Sequence, residues 1–215
     1  MENDLFQQID GGANPASPLI FRTIRPDFAN RIFVKNHYAH RAVPISHAFG
    51  AFNVNSNGIA TGIQSIVGAI SFGKPASYTL CNGICGKENS SRIYELNRFW
   101  MDNSCPKNSE SEFIGWALRM IRKLYPNWIL VSFADTAQNH TGTIYRATNW
   151  IYTGQTKPHL LWDEGSGKHG RHIECGGERK QMQRSIKHRY VWFQNKEDVG
   201  LLKYPIIQFT GGVEP

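Results

Sequence analysis

What this chain lacks narrows its class before any motif is read. No stretch approaches the ~18 consecutive apolar residues of a membrane-spanning helix, so no membrane partner is expected. The segment Met1 to Pro18 is polar and rich in Gly, Asn and Pro, with no apolar run suited to a signal peptide. The expectation is a flexible N-terminal arm on a cytoplasmic protein. Four cysteines in 215 residues are too few for a disulfide scaffold, which agrees with a reducing compartment. Cys81 and Cys85 enclose Asn-Gly-Ile at a spacing zinc could use, but Cys105 and Cys175 stand alone. Half of a tetrahedral set is missing, and free thiols in a turn are the better reading. Acidic residues are also few: 17 against 24 Lys and Arg, for a net charge of +7. A basic balance favours polyanionic partners without fixing a fold.

What is present suffices for a core: 40% of residues are hydrophobic and 12% aromatic. The length suits one domain over 19–215 carrying a basic insertion at about 157–188. Leu19 to Ile24 alternates as a first strand. Pro26 and Asp27 suit the first turn of a helix that runs to His37-Tyr38. His47 to Val54 and Ile66 to Phe72 read as strands joined through Asn55-Ser56-Asn57-Gly58, and 73–91 reads as a long irregular connection. Arg92 to Met101 is a further strand; simple alternation puts Tyr94, Leu96 and Arg98 on one face and Glu95, Asn97 and Phe99 on the other. Ser109-x-x-Glu112 reads as a capping box opening the clearest helix, closed before Pro126. Arg189 to Gln194 reads as a strand, and Leu201 to Phe209 is read as one more.

The stretch Trp128 to Gly154 organises the rest. Ile129 to Phe133 is a buried strand that ends on Ala134, Asp135 and Thr136. A polar loop with Asn139, His140 and Gly142 follows, then a short helix with Ile144 and Tyr145, and a strand from Trp150. Open α/β sheets bind ligands at the carboxyl ends of their strands, so Ser132, Asp135, Asn139, His140 and Tyr145 are expected in one crevice.

The element order implies a mixed α/β sheet with flanking helices. It resembles the GNAT acyltransferase fold, whose sheet splays open between its fourth and fifth strands, here 92–101 and 129–133. Enzymes of that fold cradle the acyl-CoA pyrophosphate in an R/Q-x-x-G-x-G/A loop after the fourth strand. Residues 101–112 contain no glycine, Pro106 lacks an amide hydrogen, and Asp102, Glu110 and Glu112 add negative charge. An acetyl-CoA-type donor is therefore doubtful.

Four phrases in order, V-K-N-H-Y (34–38), Y-E-L-N-R-F-W (94–100), S-F-A-D-T-A-Q-N-H-T-G-T-I-Y-R-A-T-N-W (132–150) and K-H-R-Y-V-W-F (187–193), resemble the phage Mom DNA-modification proteins. The resemblance implies a GNAT-derived enzyme that converts adenine in duplex DNA to N6-carbamoylmethyladenine, protecting phage DNA from restriction. It also implies functional roles for Arg98, Asp135, Tyr145, His37 and Tyr38.

Chemistry then suggests roles. Adenine N6 is a poor nucleophile, so a carboxylate such as Asp135 could accept its proton; Asp135 could equally cap the following loop. Tyr145 could protonate a leaving group or sit in the core. Arg98 could hold an anionic donor group or pair with a carboxylate, and Ser132 and Asn139 could orient Asp135. His37, Tyr38, His140 and Gly142 would line the substrate side. His37, Tyr38 and Asp135 could instead hold iron, a set that suits a hard ion. Double-stranded DNA would be gripped by Arg171, Arg179, Lys180, Arg184 and Lys187, and a homodimer on DNA is left open. Two other readings compete: an acyl-CoA N-acyltransferase on a small amine or protein, and a non-catalytic DNA-binding anti-restriction protein.

Overall fold

The computed structural model describes residues 19–54, 65–157, 160–163 and 180–210, the pieces 160–163 and 180–182 as backbone path alone. Among these residues seven strands form one sheet in the order β1 (Leu19–Thr23), β2 (His47–Asn53), β3 (Ile66–Gly73), β4 (Ile93–Met101), β5 (Ile129–Asp135), β9 (Lys187–Phe193), β6 (Ile151–Gln155). Every neighbouring pair is antiparallel except β4 with β5. Strands β7 (Leu160–Asp163) and β8 (Lys180–Gln183) pair as a separate two-stranded ribbon.

Helices cover both faces. On one, α3 (Ser109–Leu124) and the short α4 (Thr143–Ala147) lie over the sheet. The apolar stripe of α3, with Phe113, Trp116, Ala117 and Met120, packs on Phe21, Phe49, Phe72 and Leu96, and Phe21 stacks on Phe113 at 4.9 Å. On the other, α1 (Pro26–Asn36) sets Phe28, Ile32 and Phe33 against Ala48, Phe52 and Ala69. Beside it α2 (Tyr78–Cys85) sets Cys81, Ile84 and Cys85 against Ile93, Ile129 and Val131. The expected mixed α/β sheet with flanking helices is what forms.

Three local expectations fail. The segment read as irregular over 73–91 contains α2, capped by the Ser77 hydroxyl, which accepts the Leu80 N–H. Asn82-Gly83 is poor helix sequence, but Gly83 is where the Tyr204 ring seats: a Cβ there would lie 2.6 Å from Tyr204 Oη. Ser109 is not the cap of α3. Asn108 holds that position in a left-handed conformation with no side-chain cap, and Ser109 is buried as the first helical residue. Residues 202–210 are not a strand but a strap around the sheet edge. Lys203 N–H donates to Ile84 O at 2.8 Å and Ile207 N–H to Tyr152 O at 3.1 Å, so the strap occupies part of the edge that β6 would otherwise expose.

Candidate functional site

The site begins where the sheet parts. β4 and β5 pair over three positions only, ending at Glu95 with Val131, although both strands continue. On its other edge β4 is bulged: Ser71 pairs with Arg98 and Phe72 with Leu96, leaving Asn97 as the extra residue. Asn97 is fixed there by the Ser71 hydroxyl, which donates to Oδ1 at 2.7 Å, and by its own Nδ2, which donates to Pro44 O at 2.9 Å. The bulge inverts the alternation. Tyr94 and Leu96 before it, and Phe99 and Met101 after it, all join the α3-side core. Glu95 and Arg98 therefore share the opposite face, on the α1 side, correcting the simple alternation that put Arg98 with Tyr94.

Ser132 fills the gap between the parted strands. Its Oγ donates to Leu96 O at 3.0 Å and lies 2.8 Å from Tyr145 Oη. A carbonyl only accepts and a serine hydroxyl carries one proton, so with that proton given to Leu96 it receives the proton of Tyr145. Burial pushes the Tyr145 phenol up to about 12, so it is neutral. Ser132→Ala is expected to cost about 1–3 kcal/mol, because it strands a buried carbonyl and a buried phenol; urea unfolding measures it.

Asp135 ends β5. Its Oδ1 accepts the Ala137 N–H at 3.0 Å, capping the turn Thr136–Gln138, and its Oδ2 receives Lys187 Nζ at 3.0 Å from the facing position on β9. Burial pushes its pKa upward, but the hydrogen bonds from Lys187 and Ser185 and the Lys187 charge outweigh that and hold it below the usual value. It is a committed carboxylate, a cap and an ion-pair partner together. Lys187, expected to contact DNA, is turned inward to this pair.

Glu95 is the residue that sequence reading missed. It is half-buried at the point of divergence, and burial pushes its carboxyl up to about 7 against the lowering fields of Arg98, Lys187 and Arg184. The available signal was a lone acid inside the apolar run of a strand. Arg98 is half-buried too; its Nη1 donates to Asn97 O at 2.7 Å, and Nε is buried without a partner among the described residues. No carboxylate within 4.0 Å pairs with it among those residues.

α1 delivers the remaining groups. His37 follows its last turn, buried, with Nδ1 accepting the Ala39 N–H at 3.1 Å. Burial and the Arg98 charge lower its pKa to about 4, so it is a neutral imidazole. Tyr38 is 44% exposed and meets the edge of His140 at 5.9 Å. Burial and the Asp135 charge raise its pKa. The iron set His37, Tyr38 and Asp135 is thus near one opening, where Asp135 Oδ2 carries the Lys187 ammonium. Among the described residues no group of three or more His, Cys, Asp and Glu is arranged for a metal.

The other candidates divide. Asn139 and His140 are exposed; Asn139 closes the turn in a left-handed conformation, and the His140 N–H donates to Asp135 O. Gly142 is buried under Tyr190, so it shapes the loop rather than facing a ligand. Arg184 is exposed. Arg171 and Arg179 lie outside the described residues, and Lys180 is described as backbone alone.

A cleft of about 360 Å³ lies between the β4–α3 loop and α4, with Asp102, Cys105, Lys107, Glu110 and Thr143 among its walls. This is where the GNAT-like architecture implies an acyl-CoA pyrophosphate. The residues do not fit one. Two carboxylates face one lysine, Pro106 offers no N–H, and Asp102 folds the loop on itself by accepting the Ser104 N–H at 2.9 Å.

The mixed sheet, splayed between its fourth and fifth strands and flanked by helices on both faces, has a GNAT-like α/β architecture. The chain matches the Mom protein family over residues 18–210 and belongs to it. It is 28% identical over 189 residues to the methylcarbamoylase Mom of Escherichia phage Mu, covering 81% of this chain and 75% of that protein. Its path is also similar to an N-acetyltransferase from Staphylococcus aureus Mu50, at 14% identity and a TM-score of 0.47 over 83% of this chain and all of that one. A ribosomal-protein-S5-alanine acetyltransferase from Vibrio fischeri gives 8% identity and a TM-score of 0.48, over 90% and 98% of the two chains. Among the described residues no helix is long and apolar enough to cross a membrane.

Proposed function

We propose that this protein transfers a carbamoylmethyl group to N6 of adenine in duplex DNA, within the cytoplasm of a phage-infected host, and that the product base resists restriction endonucleases. Membership of the Mom family supports the class of reaction, as does the name methylcarbamoylase borne by the phage Mu relative. The observation that carries the chemistry is the cluster at the splay, where a carboxyl pushed up to about 7 by burial shares a face with a guanidinium that has no carboxylate partner among the described residues, near an ion-paired carboxylate.

N6 must gain a bond to the methylene carbon, lose one proton, and see the donor's leaving group depart with its bonding electrons. A base is most effective when its pKa lies near the working pH. Glu95 meets that condition, so Glu95 takes the N6 proton. Asp135, lowered and held by Lys187, is the weaker base; it fixes the Lys187 ammonium and can accept an N6–H hydrogen bond through a remaining lone pair. Arg98 is free to bind the carbonyl or an anionic group of the donor. An adenine in a duplex must leave the stack to reach these groups. Two exposed cations, Lys35 two residues before His37 on α1 and Arg184 three residues before β9, suit the flanking phosphates.

The test is nucleoside mass spectrometry of plasmid DNA from cells making the protein. An adenine species heavier by one carbamoylmethyl group, absent with Glu95→Gln, is the expected result. Unmodified DNA from soluble, folded protein in a host that supports the phage Mu reaction would refute the assignment.

A further inference from the structure

Four large apolar or aromatic residues are conspicuously exposed among the described residues: Val34, Tyr38, Tyr78 and Ile206. Of these, Tyr38 follows His37 at the end of α1 and meets the ring of His140, in the loop that leaves Asp135, at 5.9 Å, which places it at the opening of the site. Its ring is held from behind. His37 lies against it with centroids 4.3 Å apart and planes inclined by 30°. His37 is itself fixed by the edge of Phe33 at 6.3 Å and by the Ala39 N–H on its Nδ1. One face of Tyr38 is thus covered, the ring is 44% exposed, and His140 approaches it edge-on from the β5–α4 loop.

The other groups at the opening carry charge or hydrogen bonds: Glu95, Arg98, Asp135, Lys187. None of these four offers an aromatic face, and the smaller ring of His140 stands edge-on to Tyr38. An adenine taken out of a duplex loses its stacking on both sides and needs a π-face in exchange. A tyrosine with two side-chain torsions, already backed by a neutral imidazole, supplies that face at small entropic cost.

We propose that the exposed face of Tyr38, backed by His37, is the platform on which the extruded adenine stacks, with its edge presented to Glu95, Arg98 and Asp135. This rests on the adenine-modifying reading above and assigns its substrate-binding surface. It differs from a role for the Tyr38 hydroxyl, whether as proton donor or as metal ligand, because stacking needs the ring and not the oxygen.

Three proteins decide it: wild type, Tyr38→Phe and Tyr38→Leu, the last of similar bulk but without a π-face. Modified adenine is counted in cellular DNA, and duplex affinity is measured by fluorescence anisotropy. The Phe variant is expected within about three-fold of wild type and the Leu variant lower by about ten-fold or more, as befits one lost base–aromatic stack. Duplex affinity should fall much less than modification, since phosphate contacts dominate it. Equal activity of Phe and Leu overturns the platform. A Phe variant as impaired as Leu overturns it too and gives the role to the hydroxyl. If the wild type yields no modified adenine, the reaction assignment fails by itself. The platform is then judged by binding of a single-stranded oligodeoxyadenylate against an abasic strand of equal length. A preference for the former, kept by Phe and lost by Leu, upholds it, and absence of that pattern overturns it.

Discussion

Glu95→Gln is expected to reduce adenine modification by about 10²–10⁴-fold, the range for loss of a general base, while raising the stability of the protein. The two effects share one cause. Burial lifts the folded-state pKa of Glu95 to about 7, above the ordinary carboxylate value that it regains on unfolding. Between those values the folded state binds more protons than the unfolded chain, so stability falls as pH rises through that window and stays reduced above it. Removing the carboxyl removes that cost, on the order of 2 kcal/mol at pH 8. The wild-type rate, needing the ionised base, is expected to climb with pH and level off above about 7. Chemical denaturation at acidic and alkaline pH, together with a pH–rate profile, reads both effects. Asp135→Asn is the control. Asp135 has a lowered pKa, so its contribution is already complete at neutral pH, and the variant loses the Lys187 ion pair and gains no stability. If Asp135→Asn abolishes modification while Glu95→Gln leaves it intact, Asp135 is the base.

That assignment shows how far the sequence is readable. The strand and helix order was legible because α1 and α3 carry clean 3.6-residue periodicity and their flanking Pro, Asp and Lys/Arg signals, while β2, β3 and β5 are near-continuous apolar runs. The crevice at the end of β5 was legible for the same reason: Ser132, Asp135 and Tyr145 follow one buried strand. Glu95 was not legible as sharing a face with Arg98. Counting by twos from Tyr94 separates them, and only the bulge at Asn97, held by Ser71 and Pro44, reunites them. Nor could the sequence show that Lys187 faces Asp135. That contact exists because β9 inserts between β5 and β6, a pairing across 52 positions of chain set by tertiary structure. The helix α2 was hidden by Asn82-Gly83, whose poor propensity is overridden by docking against Ile93 and Val131 and under Tyr204.

Gly142→Ala is expected to be the most damaging single methyl in the site loop, lowering stability by about 2–4 kcal/mol. Gly142 sits at φ +73 as the residue before α4, a left-handed conformation that costs alanine about 1–2 kcal/mol. The added Cβ would also fall within 2.7 Å of Tyr190 Oη and nearer still to its ring. Tyr190 cannot easily give way. It is fully buried, donates its hydroxyl proton to Thr141 O at 2.6 Å, and accepts from Arg146 Nη1 at 3.1 Å. Its ring lies 5.2 Å from that of Tyr145, so any displacement passes to the phenol that Ser132 holds between the parted strands. Modification should therefore fall along with stability. Tyr190→Leu separates the two costs, since it vacates the space the methyl would enter. Against that background Gly142→Ala should cost only the backbone term, about 1–2 kcal/mol, and the difference between the two backgrounds is the steric coupling in a double-mutant cycle. Equal costs in both would mean that the left-handed backbone, and not the Tyr190 ring, is why glycine stands at this position.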